Sequence, residues 1–466
     1  MRKIVLGAAM ALGGLVLTGC MSTGPDGGTR ASARIGEVTA RQVGDLPHAL
    51  PPMKAFAGTA IPRPARANAD IAGDFLDLSF ELESGRRLPY LSRFEGPVTL
   101  RVLGRGSPQM QEDLTRLLQR LRIEAGINIR QVPANQPASI TLEVVSKRQL
   151  QRLVPHAACF VAPNVSGWDE YKQFRGTAVT DWTKLRTRTR MSVFLPGDVA
   201  PQEMRDCLHE EVAQALGPVN DLYRLTNSVF NDDNFHTVLT GFDMLVLRAY
   251  YAPELRSGMT RSEVAQRLPA LLARLNPSGG AGLPRLASPA PRAWKDAIET
   301  ALGQGSSMVK RRAAANRAVD IARAQGWRDT RLAFSLFAKG RLSLTVDGNG
   351  AFAAFHEADR IYRTTPGAKL QAAHMGVQLA AYALSAGRAE EAINIINGHI
   401  VPVKSAENAA LLSTLLMLKA EALDVAGRHT EAQLVRLDSL GWARYGFGST
   451  AQVSARLEEI AAISPG

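Results

Sequence analysis

Cys207-Leu208-His209-Glu210-Glu211-Val212-Ala213-Gln214-Ala215-Leu216-Gly217-Pro218-Val219-Asn220-Asp221 is the stretch on which the fold turns. Pro201 upstream opens a helix and Gly217 closes it, because proline suits a first helical turn and glycine a helix end. On that helix Met204, Cys207, Leu208, Val212, Ala215 and Leu216 form one apolar face. Glu211 falls inside this face. A carboxylate in an apolar stripe is costly unless paired or protonated, so Glu211 needs a partner, a proton or a chemical task. Glu210 and Gln214, four residues apart, share a neighbouring face. His209 has no second histidine three or four residues on and reads as structural or exposed.

Working upstream, residues 191–195 read as a strand that ends at Pro196-Gly197-Asp198 and leads straight into the helix. Further strands are expected at 98–103, 127–132 and 140–145. Ser107-Pro108 announces a helix with apolar positions Met110, Leu114, Leu117, Leu118 and Leu121, closed by Gly126. Phe75, Leu76, Leu78, Phe80 and Leu82 largely alternate with polar residues, which predicts a half-buried strand. A short helix is expected around Gln149, and residues 155–182 read as irregular. The whole predicts an α+β domain over residues 69–267, a mixed sheet with a central helix.

Downstream, residues 268–291 read as a Pro/Gly/Ser/Ala linker, and residues 292–466 read as helical. Glu-Ala pairs recur at Glu357-Ala358, Glu391-Ala392 and Glu431-Ala432. Leu384-Ser385-Ala386-Gly387-Arg388 precedes the second pair and Val425-Ala426-Gly427-Arg428 the third. Helix, Gly-Arg turn and second helix with alanines at the crossing resemble tetratricopeptide repeats, without most of their aromatic and proline consensus. An all-α tetratricopeptide-like repeat domain is therefore expected, a surface for a protein or peptide partner.

The chain opens with Arg2-Lys3 and an apolar run too short to span a bilayer, followed by Leu17-Thr18-Gly19-Cys20. This resembles a lipobox. Residues 1–19 are expected to be a signal peptide, Cys20 the lipidation site, and residues 20–68 a flexible tether. Met21 stands where an acidic retention residue would be, which by bacterial sorting rules points to the outer membrane, facing the periplasm. The formal net charge of the 466-residue chain is +12, in a composition 45% hydrophobic, which excludes wholesale disorder. The cations are scattered, apart from residues 184–190 (KLRTRTR) and 310–312, and lack the interleaved aromatics of a single-strand binder. No nucleic acid is expected, and most of the charge reads as solvated surface; binding of anionic envelope polymers is an alternative. With Cys20 lipidated, Cys159 and Cys207 remain, and two thiols in an oxidising compartment predict a disulfide.

Around the opening stretch, the register Glu210-Glu211-x-x-Gln214-x-x-Gly217-x-x-Asn220 is remotely similar to the zinc-peptidase helix of metzincins. Glu211 takes the general-base position and Gly217 the turn position, while Glu210, Gln214 and Asn220, followed by Asp221, stand where imidazoles would bind zinc. Ser228-Val229-Phe230 sits at the place of the methionine turn, with Phe230 for methionine, and Leu239-Thr240-Gly241-Phe242-Asp243 resembles the closing helix. More specifically, residues from about 70 to 267 resemble a bacterial exported family, domain-of-unknown-function family twenty-nine twenty-seven. The strings that carry it are 74–80 (DFLDLSF), Glu210-Glu211 with Gln214, Asn220-Asp221, Ser228-Val229-Phe230-Asn231-Asp232 and Gly258-Met259-Thr260.

The resemblance implies a zincin-like fold that has lost its ligands. Carboxamide oxygens are poor zinc ligands, so no zinc is expected; an oxygen set would at most take weak Ca²⁺ or an unusual divalent metal. Glu211 is then a degenerate base, with Glu210, Gln214, Asn220 and Asp221 as a polar network. The alternative is a metal-dependent hydrolase using Glu211. The run Asn231-Asp232-Asp233-Asn234 reads as a turn, with calcium chelation the rival.

Overall fold

The computed structural model describes residues 50–56, 58, 64, 66–155, 157–281, 289–303 and 305–465. Cys20, the expected signal peptide, most of the expected tether, His156 and residues 282–288 of the expected linker lie outside these residues.

The first region begins with α1 (Asn68–Phe80). This corrects the expected strand: Ile71, Phe75 and Leu78 recur at i, i+4 and i+7 and are fully buried, while Leu76 lies to the side. Two periods coexist in this stretch, and packing selects the helical one. Next come β1 (Val98–Leu103), α2 (Pro108–Glu124), β2 (Ile129–Gln131), β3 (Ile140–Val145) and α3 (Lys147–Leu153). Ser107 caps α2 as expected, its Oγ accepting from Met110 N at 3.1 Å.

β4 (Phe160–Pro163) and α4 (Trp168–Phe174) occupy the stretch expected to be irregular. They were hidden because Phe160, Trp168 and Tyr171 form no sequence period; they cluster on Phe194 only in three dimensions. β5 (Met191–Pro196) and α5 (Pro201–Leu216) follow, then α6 (Gly241–Tyr250) and α7 (Arg261–Leu275). α7 runs into the residues read as linker, with Val264, Leu268, Leu271 and Leu272 buried on one face.

The sheet has order β2-β1-β3-β5-β4, with β4 antiparallel to β5 and the other pairs parallel. Along β5, Met191, Val193 and Leu195 join the core that contains α5, while Phe194 points into the aromatic cluster on the other face. α5 therefore lies against β5 and the edge strand β4, at one end of a mixed sheet. The Cys159–Cys207 disulfide is formed and ties the start of β4 to α5.

The second region is all-helical: α8 (Arg292–Leu302), α9 (Met308–Ala324), α10 (Thr330–Ser343), α11 (Gly348–Thr364), α12 (Lys369–Ser385), α13 (Ala389–Ser405), α14 (Ala409–Val425), α15 (His429–Phe447) and α16 (Thr450–Ala461). Successive helices pack side by side, and Ala358, Ala392 and Ala432 of the Glu-Ala pairs are fully buried. Gly387 and Gly427 take left-handed backbone (φ 72° and 75°) in the turns, which is why glycine stands before each arginine.

The two regions share one interface. Tyr223 and Phe235, from the loop after α5, are built into the helical core beside Trp294 and Phe334. Thr226 donates to Pro366 O (3.1 Å), Gln371 donates to Thr226 O (2.8 Å), and Gln202 bonds Asn408 and the amide of Ala410. The far end of the expected tether joins in: Phe56 stacks on Trp442 at 4.6 Å, and Lys54 N donates to Gly441 O at 3.0 Å. At residues 50–56, then, the chain is docked on α15.

Candidate functional site

α5 carries the site because its polar positions lie under the sheet edge rather than in solvent. Its C-terminal end is held by Arg188, which is 3% exposed and donates to Gln214 O at 2.5 Å and to Gly217 O. A cation on the last carbonyls of a helix satisfies orphan acceptors and opposes the negative end of the dipole. Within the 184–190 cluster Lys184, Arg186 and Arg190 are exposed, as expected of solvated surface, and Arg188 is the exception; a C-cap drawn from a distant loop leaves no local signature. Gly217 has φ −157° and ψ −95°, neither extended nor left-handed, and a Cβ there would come 3.1 Å from the ring of Tyr250. Its need is room for that ring rather than a left-handed turn.

Glu211 and Gln214 line a small cavity with Leu82, Glu83, Cys159 and Trp182, of about 70 Å³. Glu211 is 2% exposed, and its Oε2 has no hydrogen-bond partner. Burial, then the charges of Glu210 and Asp221, push its carboxyl well above the ordinary range. Glu210 is pushed up to about 7 by burial and by Asp232. Asp221, 2% exposed, is raised by burial, Asp232 and Glu210, and it meets the Glu83 carboxyl side chain to side chain. Asp232 rises to about 6, with Lys295 its largest compensating charge. Five carboxyls therefore interact around the end of α5: Glu83, Glu210, Glu211, Asp221 and Asp232.

Of the residues expected to converge, Glu210, Glu211 and Asp221 do so electrostatically, and Gln214 shares the cavity wall with Glu211. Asn220 is turned elsewhere: its Nδ2 donates to Asp77 O at 3.0 Å, tying the loop to α1. Glu83 was missed. It sits in the turn between α1 and β1, with no periodicity to mark it, and only the fold brings it to Asp221.

His209 is a buried structural residue, its Nδ1 accepting from Leu239 N at 3.1 Å, and burial with Arg120 and Arg205 nearby keeps it neutral. The run at 231–234 is a turn. Asn231 Oδ1 accepts from Asp233 N (3.0 Å), Asp233 Oδ1 from Phe235 N (3.1 Å), and Asn234 has φ 54°. Asp243 of α6 holds the loop below α5, accepting from Ser228 Oγ, Val229 N and Thr240 N.

A zinc ion of the metzincin kind does not fit these residues. The register positions hold a carboxylate, a carboxamide and an asparagine engaged with a backbone carbonyl. Among the described residues, no group of three or more His, Cys, Asp or Glu side chains stands in a metal-holding arrangement. What the cluster can do is hold protons: buried carboxyls that repel one another each take up a proton well above the usual pH.

Residues 68–270 match the model of a family described as "Protein of unknown function (DUF2927)", so the chain carries a domain of unknown function over this span. A comparison with curated proteins returned no match. Among the described residues, no helix is long and apolar enough to cross a membrane.

Proposed function

We propose that this chain is a cell-envelope lipoprotein, anchored through Cys20 to the outer membrane, in which a zincin-like domain has lost zinc catalysis and the tetratricopeptide-like helices hold a protein or peptide partner. The observation that carries the reading is the substitution of an interacting carboxyl cluster for an imidazole site on α5. Glu211 keeps the general-base position, yet its neighbours Glu210 and Asp221 raise its proton affinity instead of lowering it. The cavity it faces is about 70 Å³, well below the roughly 300 Å³ at which ligand pockets begin. Partner binding is supported by the side-by-side stacking of the helices α8 to α16, the layout of extended binding surfaces.

A hydrolytic role for Glu211 is the second reading, favoured by its unpartnered Oε2 on the cavity wall. One experiment separates the two. Elemental analysis of the purified chain, with peptide hydrolysis compared between wild type and Glu211→Gln, is expected to find zinc far below one per chain and no difference in hydrolysis. Stoichiometric zinc with activity abolished by Glu211→Gln overturns the proposal.

A further inference from the structure

The turns of the helical region fall on two opposite edges. Those after α9, α11, α13 and α15 meet the first region: Thr330 bonds Tyr223 O, Pro366 O accepts from Thr226, Glu407 pairs with Arg205, and Gly448 lies against Ala200. The turns after α8 and α10 lie on the edge pointing away. They are neighbours there, because Arg311 at the start of α9 donates to Ala301 O at the end of α8 (2.9 Å) and stands within electrostatic reach of Arg341 near the end of α10. A small core of Ala301, Ala315, Ala338 and Leu342 braces this tip.

The tip presents two kinds of side chain together. Val309 is 69% and Met308 46% exposed at the start of α9, and Val346 is 63% and Leu344 37% exposed in the turn after α10. Beside them stand Lys310, Arg311 and Arg312, and among the described residues no acidic partner is recorded for Lys310 or Arg312. Asp347, the acid in the α10–α11 turn, keeps its charge but turns it on the N-terminus of α11, accepting from Gly350 N at 2.9 Å. Exposed apolar residues beside two unpaired cations fit a surface that is apolar beneath an anionic layer. A soluble polyanion would need the cations alone, and an acidic protein would need a wider patch than two turns.

We propose that this tip docks on an anionic lipid bilayer, with Met308, Val309, Leu344 and Val346 entering the headgroup region and Lys310 and Arg312 meeting lipid phosphates. The docking is independent of the chemistry at Glu211 and of the acyl anchor. Its consequence is orientation: the edge with the first region faces away from the lipid.

The test is sedimentation with vesicles, using a chain that begins at Met21, keeps every described residue and lacks Cys20. The vesicles are phosphatidylcholine with and without phosphatidylglycerol at about a third of the lipid. Wild type is expected to sediment with the anionic vesicles, less as salt rises, and to stay in solution with phosphatidylcholine alone. Lys310→Gln with Arg312→Gln weakens binding about 25-fold, roughly five-fold per cation. Val309→Ser with Val346→Ser weakens it about ten-fold while leaving every charge in place. All four side chains are exposed or half-exposed, so an unchanged circular dichroism spectrum and melting temperature verify each variant's fold. Absence of lipid-dependent sedimentation overturns the proposal. So does undiminished binding by the serine pair, which makes the tip a polyanion site rather than a bilayer contact.

Discussion

Glu83 and Asp221 meet carboxyl to carboxyl beneath the end of α5, and each is left with a buried oxygen that finds no donor. Two carboxylates in contact cannot both ionise cheaply, so the pair holds a proton between them. Asp232 and Glu210 raise both further through their charge; Lys295 is the cation that reaches Asp221 and, with Arg292, Asp232.

The chain is therefore expected to be more stable in mild acid than at neutral pH. These carboxyls bind protons more tightly folded than unfolded, so their contribution is fully present below the unfolded values near 4. It is lost as pH rises through the folded values, about 6 for Asp232 and about 7 for Glu210. For Glu210 alone the swing is on the order of 3 kcal/mol. Melting temperatures measured between pH 4.5 and 8 (roughly the span of these values) should fall with rising pH. Glu83→Gln, which gives Asp221 an amide donor, should raise stability at pH 8 by about 1–2 kcal/mol and leave it nearly unchanged at the acid end. A profile flat in both proteins would show that the carboxyls are solvated.

The Cys159–Cys207 bond closes a 48-residue separation that contains β4, α4, β5 and the start of α5. Constraining a loop of this size in the unfolded chain is worth about 4 kcal/mol. Urea titration with and without reductant is expected to show that loss, and Cys159→Ala with Cys207→Ala should reproduce it. Because Cys159 also walls the cavity beside Glu211, the double variant should speed amide exchange at the end of α5 as well.

How much of this was legible in the sequence depends on whether a feature was local. β1, β3 and α5 have the bounds that their periodicity and caps predict, because strand alternation and Pro201/Gly217 act within a few residues. α1 was misread since its alternating residues 75, 76, 78, 80 and 82 masked the helical set Ile71, Phe75 and Leu78. Arg188 did not stand out from the solvated cations because its acceptors, Gln214 O and Gly217 O, come from another element. At the site, Glu211's conflict with its apolar face was visible from the helix alone. Its companions Glu83 and Asp232 come from loops whose paths only the tertiary fold sets.

Gly217 offers a sharper check on the site's packing. Alanine at this position would put a methyl group against the Tyr250 ring at 3.1 Å. Tyr250 is 1% exposed and has no room to retreat. Gly217→Ala is expected to cost about 1–3 kcal/mol in chemical denaturation. A neutral result would mean that the ring shifts freely and that this glycine is incidental.

Arg205 is where the two regions are joined most tightly, and its loss should separate them. The residue projects from α5 at 4% exposure, its guanidinium beside the rings of Phe56 (5.6 Å) and Tyr445 (5.1 Å). It pairs with Glu407 at 3.2 Å and also reaches that residue's carbonyl. Glu407 has a left-handed backbone (φ 53°), a strained shape for glutamate that the paired arginine helps to hold. Tyr445 in turn donates to Asp113 of α2 at 2.8 Å, so one contact draws together α5, α2, α15 and residues 50–56. Arg205→Ala leaves Glu407 facing a buried gap and is expected to cost about 3–5 kcal/mol. Calorimetry should then resolve two melting steps where wild type gives one, the helical region and the sheet domain unfolding apart. Tyr445→Phe, which removes a single hydrogen bond, should cost about 1–2 kcal/mol and keep one step. If Arg205→Ala also melts in one unshifted step, the regions are coupled through Tyr223 and Phe235 instead, whose rings are sunk into the helical core.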